Sequence, residues 1–132
     1  MNDLKLLSHA IEAMKNSYNK YSHFAVGAAL LCADGTVYTG CNIENSAFSA
    51  TVCAERTAFF KAISEGKRDF IKIAIVGGKD NNIEKPCMPC GVCRQVMTEF
   101  CNKDFCIITL KDGLPQSHTL REILPYAFED ML

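Results

Sequence analysis

Two short strings constrain this chain more than anything else in it: Cys53-Ala54-Glu55 and, further along, Pro89-Cys90-Gly91-Val92-Cys93. Together they offer three thiolates and a carboxylate at what read as two helix starts. Cys90 and Cys93 are three residues apart and share one helix face. Cys53 then comes from the first turn of another helix, so the fold must bring two helix N-termini together. A helix N-terminus lowers a thiol's pKa and favours the thiolate a metal requires. Closed structural zinc sites take four protein ligands, whereas three leave a position for water. The pattern points to hydrolytic chemistry with Zn²⁺ held by Cys53, Cys90 and Cys93. Glu55, two residues after a ligand, is placed to move that water's protons, a role worth roughly 10²–10⁴ in rate. Without the cysteines it would read only as a carboxylate answering the helix dipole.

Three thiolates over-neutralise a divalent ion, so something positive should offset them. Arg56 and Arg94 each follow a cysteine closely and are candidates to donate hydrogen bonds to sulfur; surface solvation is the alternative. Cys87-Met88-Pro89-Cys90 forms a second CxxC. A closed site from Cys53, Cys87, Cys90 and Cys93 is therefore the competing arrangement, that of a structural zinc module binding a partner protein. Pro89 suits the first turn of a helix, which would leave Cys87 ahead of it.

The chain has 132 residues, which fits one domain over 1–132 with a core of its own. A formal net charge of -1 gives no electrostatic footprint for nucleic acid. The longest apolar stretch, around Phe24 to Ala33, is too short to span a bilayer, so no membrane partner is expected. The N-terminus lacks the basic-then-apolar run of a signal peptide, and the expected location is the cytoplasm. In that setting eight cysteines read as ligands or packed thiols rather than a disulfide framework. Cys32, Cys41, Cys101 and Cys106 lie in apolar runs, where free cysteine packs as a small hydrophobe.

Leu4, Leu7, Ile11 and Met14 form the stripe of an amphipathic first helix. Ala25 to Cys32 reads as a buried strand, Asp34-Gly35 as a tight hairpin turn, and Thr36 to Cys41 as the returning strand. Thr51 is the expected N-cap and Gly66 the expected C-terminal left-handed residue of a helix between them. Its inner face would carry Cys53, Thr57, Phe60 and Ile63. Phe70 to Val76, ending at Gly77-Gly78, is a third strand. A helix runs from Pro89 to about Cys101, Phe105 to Leu110 is a fourth strand closed by Asp112-Gly113, and Leu120 to Leu124 is a short helical turn. Strands interleaved with helices argue an α/β sandwich around one mixed sheet.

Cys53-Ala54-Glu55-Arg56-Thr57-Ala58 and Pro89-Cys90-Gly91-Val92-Cys93-Arg94-Gln95 match the pattern of zinc deaminases, in which the glutamate is an acid/base and not a ligand. Tyr21-Ser22-His23-Phe24-Ala25-Val26-Gly27-Ala28-Ala29, Gly40-Cys41-Asn42-Ile43-Glu44-Asn45 and Leu124-Pro125-Tyr126-Ala127-Phe128 extend the likeness. Nearly the whole chain resembles the small homotetrameric cytidine deaminases. That resemblance implies a three-layer α/β/α sandwich with a central mixed sheet and one Zn²⁺ per subunit. It implies hydrolytic deamination of cytidine and 2′-deoxycytidine to uridine and 2′-deoxyuridine, with release of ammonia, in pyrimidine salvage.

The same resemblance implies roles for individual residues. Asn42 and Glu44 would bind the ribose, Phe24 would pack on the pyrimidine, and the backbone at Ala54 would meet the base edge. Phe128 would enter a neighbouring subunit's site, so a homotetramer is the expected assembly. Periodicity alone makes Phe24 core. Asn42 and Glu44, at i and i+2 of a strand end, face the same way, though either alone reads as a solvated end. Lys20 and Phe48 depart from the family, standing where many members have proline and tyrosine. A cytosine-containing antibiotic or a nucleotide is the competing substrate, and a carboxylate at Glu44 would repel a phosphate.

Overall fold

The computed structural model describes residues 1–129, so the last three residues of the expected 1–132 domain lie outside the described residues. Helix α1 (Asp3–Met14) leads into a hairpin of β1 (Phe24–Cys32) and β2 (Val37–Cys41). Helix α2 (Ala54–Ser64), β3 (Phe70–Lys79), α3 (Gly91–Phe100), β4 (Cys106–Lys111), β5 (Leu114–Thr119) and α4 (Leu120–Ile123) follow. The strand order is β2-β1-β3-β4-β5. Only β3 and β4 pair in parallel; the other neighbours are antiparallel, so the sheet is mixed. No helix among the described residues is long and apolar enough to cross a membrane.

The period-two alternation of a strand divides the core into two layers. On one face Ala28, Leu30, Ile73, Ile75 and Ile107 pack against α2, α3 and α4 through Ala58, Phe59, Met97 and Leu120. On the other, Ala25, Ala29, Leu31, Ala74, Val76 and Ile108 pack against Leu6, Leu7, Ala10 and Met14 of α1. The expected three-layer α/β/α sandwich is therefore present. Covering both faces explains why β1 and β3 read as continuous apolar runs.

Several boundaries follow local side-chain and backbone chemistry, two of them, Asp34-Gly35 and Gly66, as expected from the sequence. Asn2 caps α1, its side chain accepting from the Lys5 N–H at 2.8 Å. Gly35, with φ +89°, turns the first hairpin, and the Thr36 N–H is held by Asp34 Oδ1 at 3.0 Å. Gly66 has φ +94° just past α2, where a side chain would be strained. Thr119 and Glu122 form a capping box on α4.

Other expectations are corrected. Leu4 is exposed, and the inner stripe of α1 is Leu6, Leu7, Ala10 and Met14. The face is chosen by Gly27 of β1: a methyl there would stand 2.0 Å from the Ala10 carbonyl oxygen, so α1 lies directly on that glycine. On α2 the buried residues are Ala54, Glu55, Ala58, Phe59 and Ala62, while Phe60 is exposed. Phe59 reaches the core, with its ring edge-on to Phe70 at 5.2 Å. Strand β3 continues through Gly77-Gly78 to Lys79.

The sequence pattern predicts four strands, the last closed by Asp112-Gly113, whereas the sheet has a fifth. Asp112 and Gly113 have φ of 52° and 76°, the two positive values of a hairpin turn. The chain therefore returns as β5. Its polar composition and Pro115 hid it; an edge strand tolerates both.

A buried hydroxyl is out of place energetically. The hydroxyl of Thr109, a fully buried residue of β4, has no hydrogen-bond partner among the described residues. An unsatisfied buried hydroxyl costs about 1–3 kcal/mol. Thr109→Val keeps the shape and removes the hydroxyl. It is expected to raise the denaturant midpoint, and a lowered midpoint would mean that the hydroxyl is paired in solution.

Candidate active site

The N-termini of α2 and α3 converge, and the cysteines do the work of neither ordinary N-cap. Cys53 caps α2 and Cys90 caps α3, yet neither side chain accepts a capping hydrogen bond. Thr51 and Pro89, expected at these starts, lie just ahead of them because the capping positions are taken by thiols that point elsewhere. The sulfur atoms of Cys53, Cys90 and Cys93 all lie within 4.8 Å of one another. Cys53 Sγ and Cys90 Sγ are 3.7 Å apart. Tetrahedral Zn–S bonds of about 2.3 Å place neighbouring sulfurs about 3.8 Å apart. The donor set therefore suits a zinc ion.

Electrostatics at the cluster favour a thiolate. The Cys53 thiol is lowered to about 5, chiefly by a hydrogen bond from Cys93, then by Arg56 and Cys90. Arg56 donates from Nη2 to Cys53 Sγ at 3.3 Å, as expected of a residue that offsets sulfur charge. Its Nε is buried with no partner among the described residues.

Arg94 corrects its expectation. Its Nε donates to the Pro89 carbonyl at 2.8 Å and its Nη1 to the Ile123 carbonyl at 2.6 Å. Both hydrogen-bonding nitrogens are occupied by main chain rather than by sulfur. Arg94 fixes the loop ahead of Cys90 instead of tuning the thiolate.

Glu55 is 4% exposed. Burial pushes its carboxyl up to about 7, and the nearby Cys53 charge acts in the same direction. Hydrogen bonding with its own backbone and with Cys93 opposes the rise. A carboxyl poised near neutrality can both take and give a proton.

Cys87 does not join the cluster; the only group of three or more potential metal ligands among the described residues is Cys53, Cys90 and Cys93. Burial pushes its thiol up to about 12. It lines a 260 Å³ cavity with Phe24, Gly77, Gly78 and Pro86. A methyl on Gly77 would lie 2.8 Å from Cys87 Sγ and 3.1 Å from the Phe24 ring. Glycine is needed there because the two side chains meet over it. Cys87→Ser is expected to keep one zinc per chain, counted by elemental analysis. Loss of the metal would restore the four-cysteine site.

Phe24 is not core. It opens β1 at 37% exposure on the rim of that cavity. Asn42 and Glu44 lie just past β2 and flank Ile43, which bridges Val52 through two hydrogen bonds of 3.0 Å. They thus sit beside the residue that precedes Cys53. Asn42 donates to the Phe24 carbonyl at 2.8 Å and accepts from the Val26 N–H at 2.9 Å. Glu44 accepts from the Tyr21 and Ser22 N–H groups at 3.0 and 3.1 Å. Hydrogen bonds from Ser22, first from its side chain and then from its backbone, lower the Glu44 carboxyl below its ordinary range. Both side chains hold the segment that carries Phe24, a duty that sequence reasoning missed because it depends on a tertiary approach.

Ala54 is fully buried at the start of α2, against Gly40 of β2. Phe128 is not brought to this chain's own cluster. It is 73% exposed and lines a groove with Thr98, Cys101 and Lys103.

Three sulfur donors with no fourth protein ligand among the described residues leave room for water, beside an acid held near neutrality. The chain is thus a zinc-dependent hydrolase on an α/β/α sandwich. It belongs to the cytidine and deoxycytidylate deaminase family, whose zinc-binding region model matches residues 1–109. It is similar to a cytidine deaminase of Sporosarcina psychrophila, 50% identical over 125 residues, covering 94% of this chain and 89% of that protein. One from Halalkalibacterium halodurans is 49% identical over 129 residues, covering 96% and 95% respectively. The crystal structure of cytidine deaminase from Burkholderia pseudomallei superposes with a TM-score of 0.89 at 39% identity, covering 97% of this chain and 100% of that one.

Proposed function

We propose that this chain deaminates cytidine and 2′-deoxycytidine hydrolytically, with Glu55 as the residue that moves the protons. The observation that carries the proposal is the buried Glu55 carboxyl against an open three-thiol cluster at two helix starts. Cys53, Cys90 and Cys93 hold one zinc, which when bound activates water for attack at C4 of the base. Glu55 takes a proton from that water and delivers it to N3. It then carries a proton to the departing 4-amino group, so that cytidine and water become uridine and ammonia. Its burial keeps competing solvent away and its poise near 7 suits both transfers.

The remaining roles follow position. Phe24 offers a ring face at the cavity rim, and the backbone at Ala54 meets the base edge. Asn42 and Glu44 grip the ribose hydroxyls once Phe24 is in place. A Glu44 carboxyl that stays ionised repels a phosphate and so favours a free nucleoside over a nucleotide. Arg56 offsets thiolate charge through its 3.3 Å contact with Cys53. Phe128, exposed and away from its own cluster, is supplied to a neighbouring copy in a homotetramer. All eight cysteines are free.

The test is the fall in cytidine absorbance in the ultraviolet with protein of counted zinc content. Conversion to uridine that disappears when the metal is stripped, and returns with added zinc, is the expected result. A folded, zinc-loaded chain that leaves cytidine untouched would overturn the proposal.

A further inference from the structure

Three successive residues of α3 reach in three directions. Cys93 joins the sulfur cluster. Arg94 ties the Pro89 carbonyl to the Ile123 carbonyl. Gln95 donates from Nε2 to the Phe128 carbonyl at 2.8 Å. The C-terminal stretch is therefore pinned near both ends, at 123 and 128, to the helix turn that carries a zinc ligand. Lys103 adds a contact to Glu129 at 3.5 Å.

Between the pins the backbone is bent hard. Tyr126 has φ 55°, in the left-handed region, and its side chain is fully exposed. A bulky residue holds that conformation only where its surroundings impose it. The bend lets the chain double back so that the Phe128 carbonyl meets Gln95. Yet the Phe128 ring stays 73% exposed. Ordering a segment has an entropic cost, and an uncovered aromatic returns none of it to the chain that carries it. Such an arrangement makes sense when the ring is delivered to another molecule.

We infer that Gln95, assisted by Arg94, is a positioning residue that sets where Phe128 is presented to the neighbouring copy. The inference rests on the role given to Phe128 above. It adds that this presentation is built on the same helix turn as Cys93, so each subunit's metal loop also orders the ring it lends. Gln95 touches neither substrate nor metal; it acts through Phe128.

The experiment measures kcat, KM for cytidine and zinc content of the intact holoenzyme. Its variants are Phe128→Ala, Gln95→Glu, Gln95→Met and the double variant Gln95→Met with Phe128→Ala. Glutamate keeps the shape of glutamine but cannot donate when ionised, and methionine keeps the length without charge. Each single variant is expected to raise KM by roughly twofold to tenfold, the range of one aromatic contact. Zinc content and kcat should stay within about twofold of the unmutated enzyme. The double variant should be no worse than Phe128→Ala, because residues acting through one contact are not additive. A wild-type KM in both Gln95 variants, or a double variant showing the product of the two effects, would overturn the positioning role alone. A wild-type KM in Phe128→Ala would remove the Phe128 contact and the positioning role with it. An unmutated holoenzyme inert toward cytidine would sink the catalytic reading beneath both.

Discussion

Glu55→Gln should be folded, loaded with one zinc per chain, and slower than the unmutated enzyme by at least roughly 10²-fold in kcat. Glutamine keeps the volume and the helix start, so packing around the sulfur cluster is undisturbed. What it loses is the ability to take a proton. The stability arm has the opposite sign. Burial holds the Glu55 carboxyl up near 7, which means that the folded state disfavours its charge. Replacing it with a neutral amide of the same shape should leave the thermal midpoint unchanged or higher. Dead and stable together are the signature of a residue kept for chemistry rather than for folding. A variant with undiminished turnover would remove Glu55 from the mechanism.

Gly40→Ala is expected to damage the site from a distance and to do so through the fold. A methyl at Gly40 of β2 would stand 2.4 Å from the Ala54 carbonyl oxygen and 2.6 Å from the Ala58 nitrogen. Both atoms are backbone of α2, so relief requires moving the helix itself. That first turn carries Cys53 and Glu55. Overpacking a core typically costs about 1–3 kcal/mol, and backbone contacts this close belong at the upper end. The expected outcome is a lower thermal midpoint together with loss of zinc, read by melting and by metal analysis on the same sample. Full zinc occupancy and unchanged melting would show that α2 has slack against β2, contrary to the close approach seen here.

The chemistry was legible because it is local. Cys90 and Cys93 share a helix face by spacing alone, and a glutamate two residues after Cys53 needs no fold to be noticed. Asp34-Gly35 and Gly66 were legible for the same reason: each marks a backbone turn whose φ is set by its own residue type. Apolar runs in β1 and β3 announced strands covered on both sides.

What lay beyond the sequence depends on which backbone comes close to which. Hydropathy favoured Leu4 and Phe60 as inner residues, but the glycines opposite drew Ala10 and Ala54 inward. Strand β5 carries no apolar alternation, because an edge strand is held mainly by its ladder to β4. Arg94 is a long side chain beside a zinc ligand, and nothing local told its nitrogens to choose the carbonyls of Pro89 and Ile123 over sulfur. Asn42 and Glu44 were readable as polar residues at a strand end, while their hold on the Phe24 segment required the chain to return there. The sequence by itself determined the candidate ligands, the candidate acid and the class of reaction, since these rest on residue type and short spacing. The tertiary structure alone decided which faces are buried, where the arginine and amide side chains are anchored, and what holds the Phe128 carbonyl, since these rest on contacts between segments far apart in the chain.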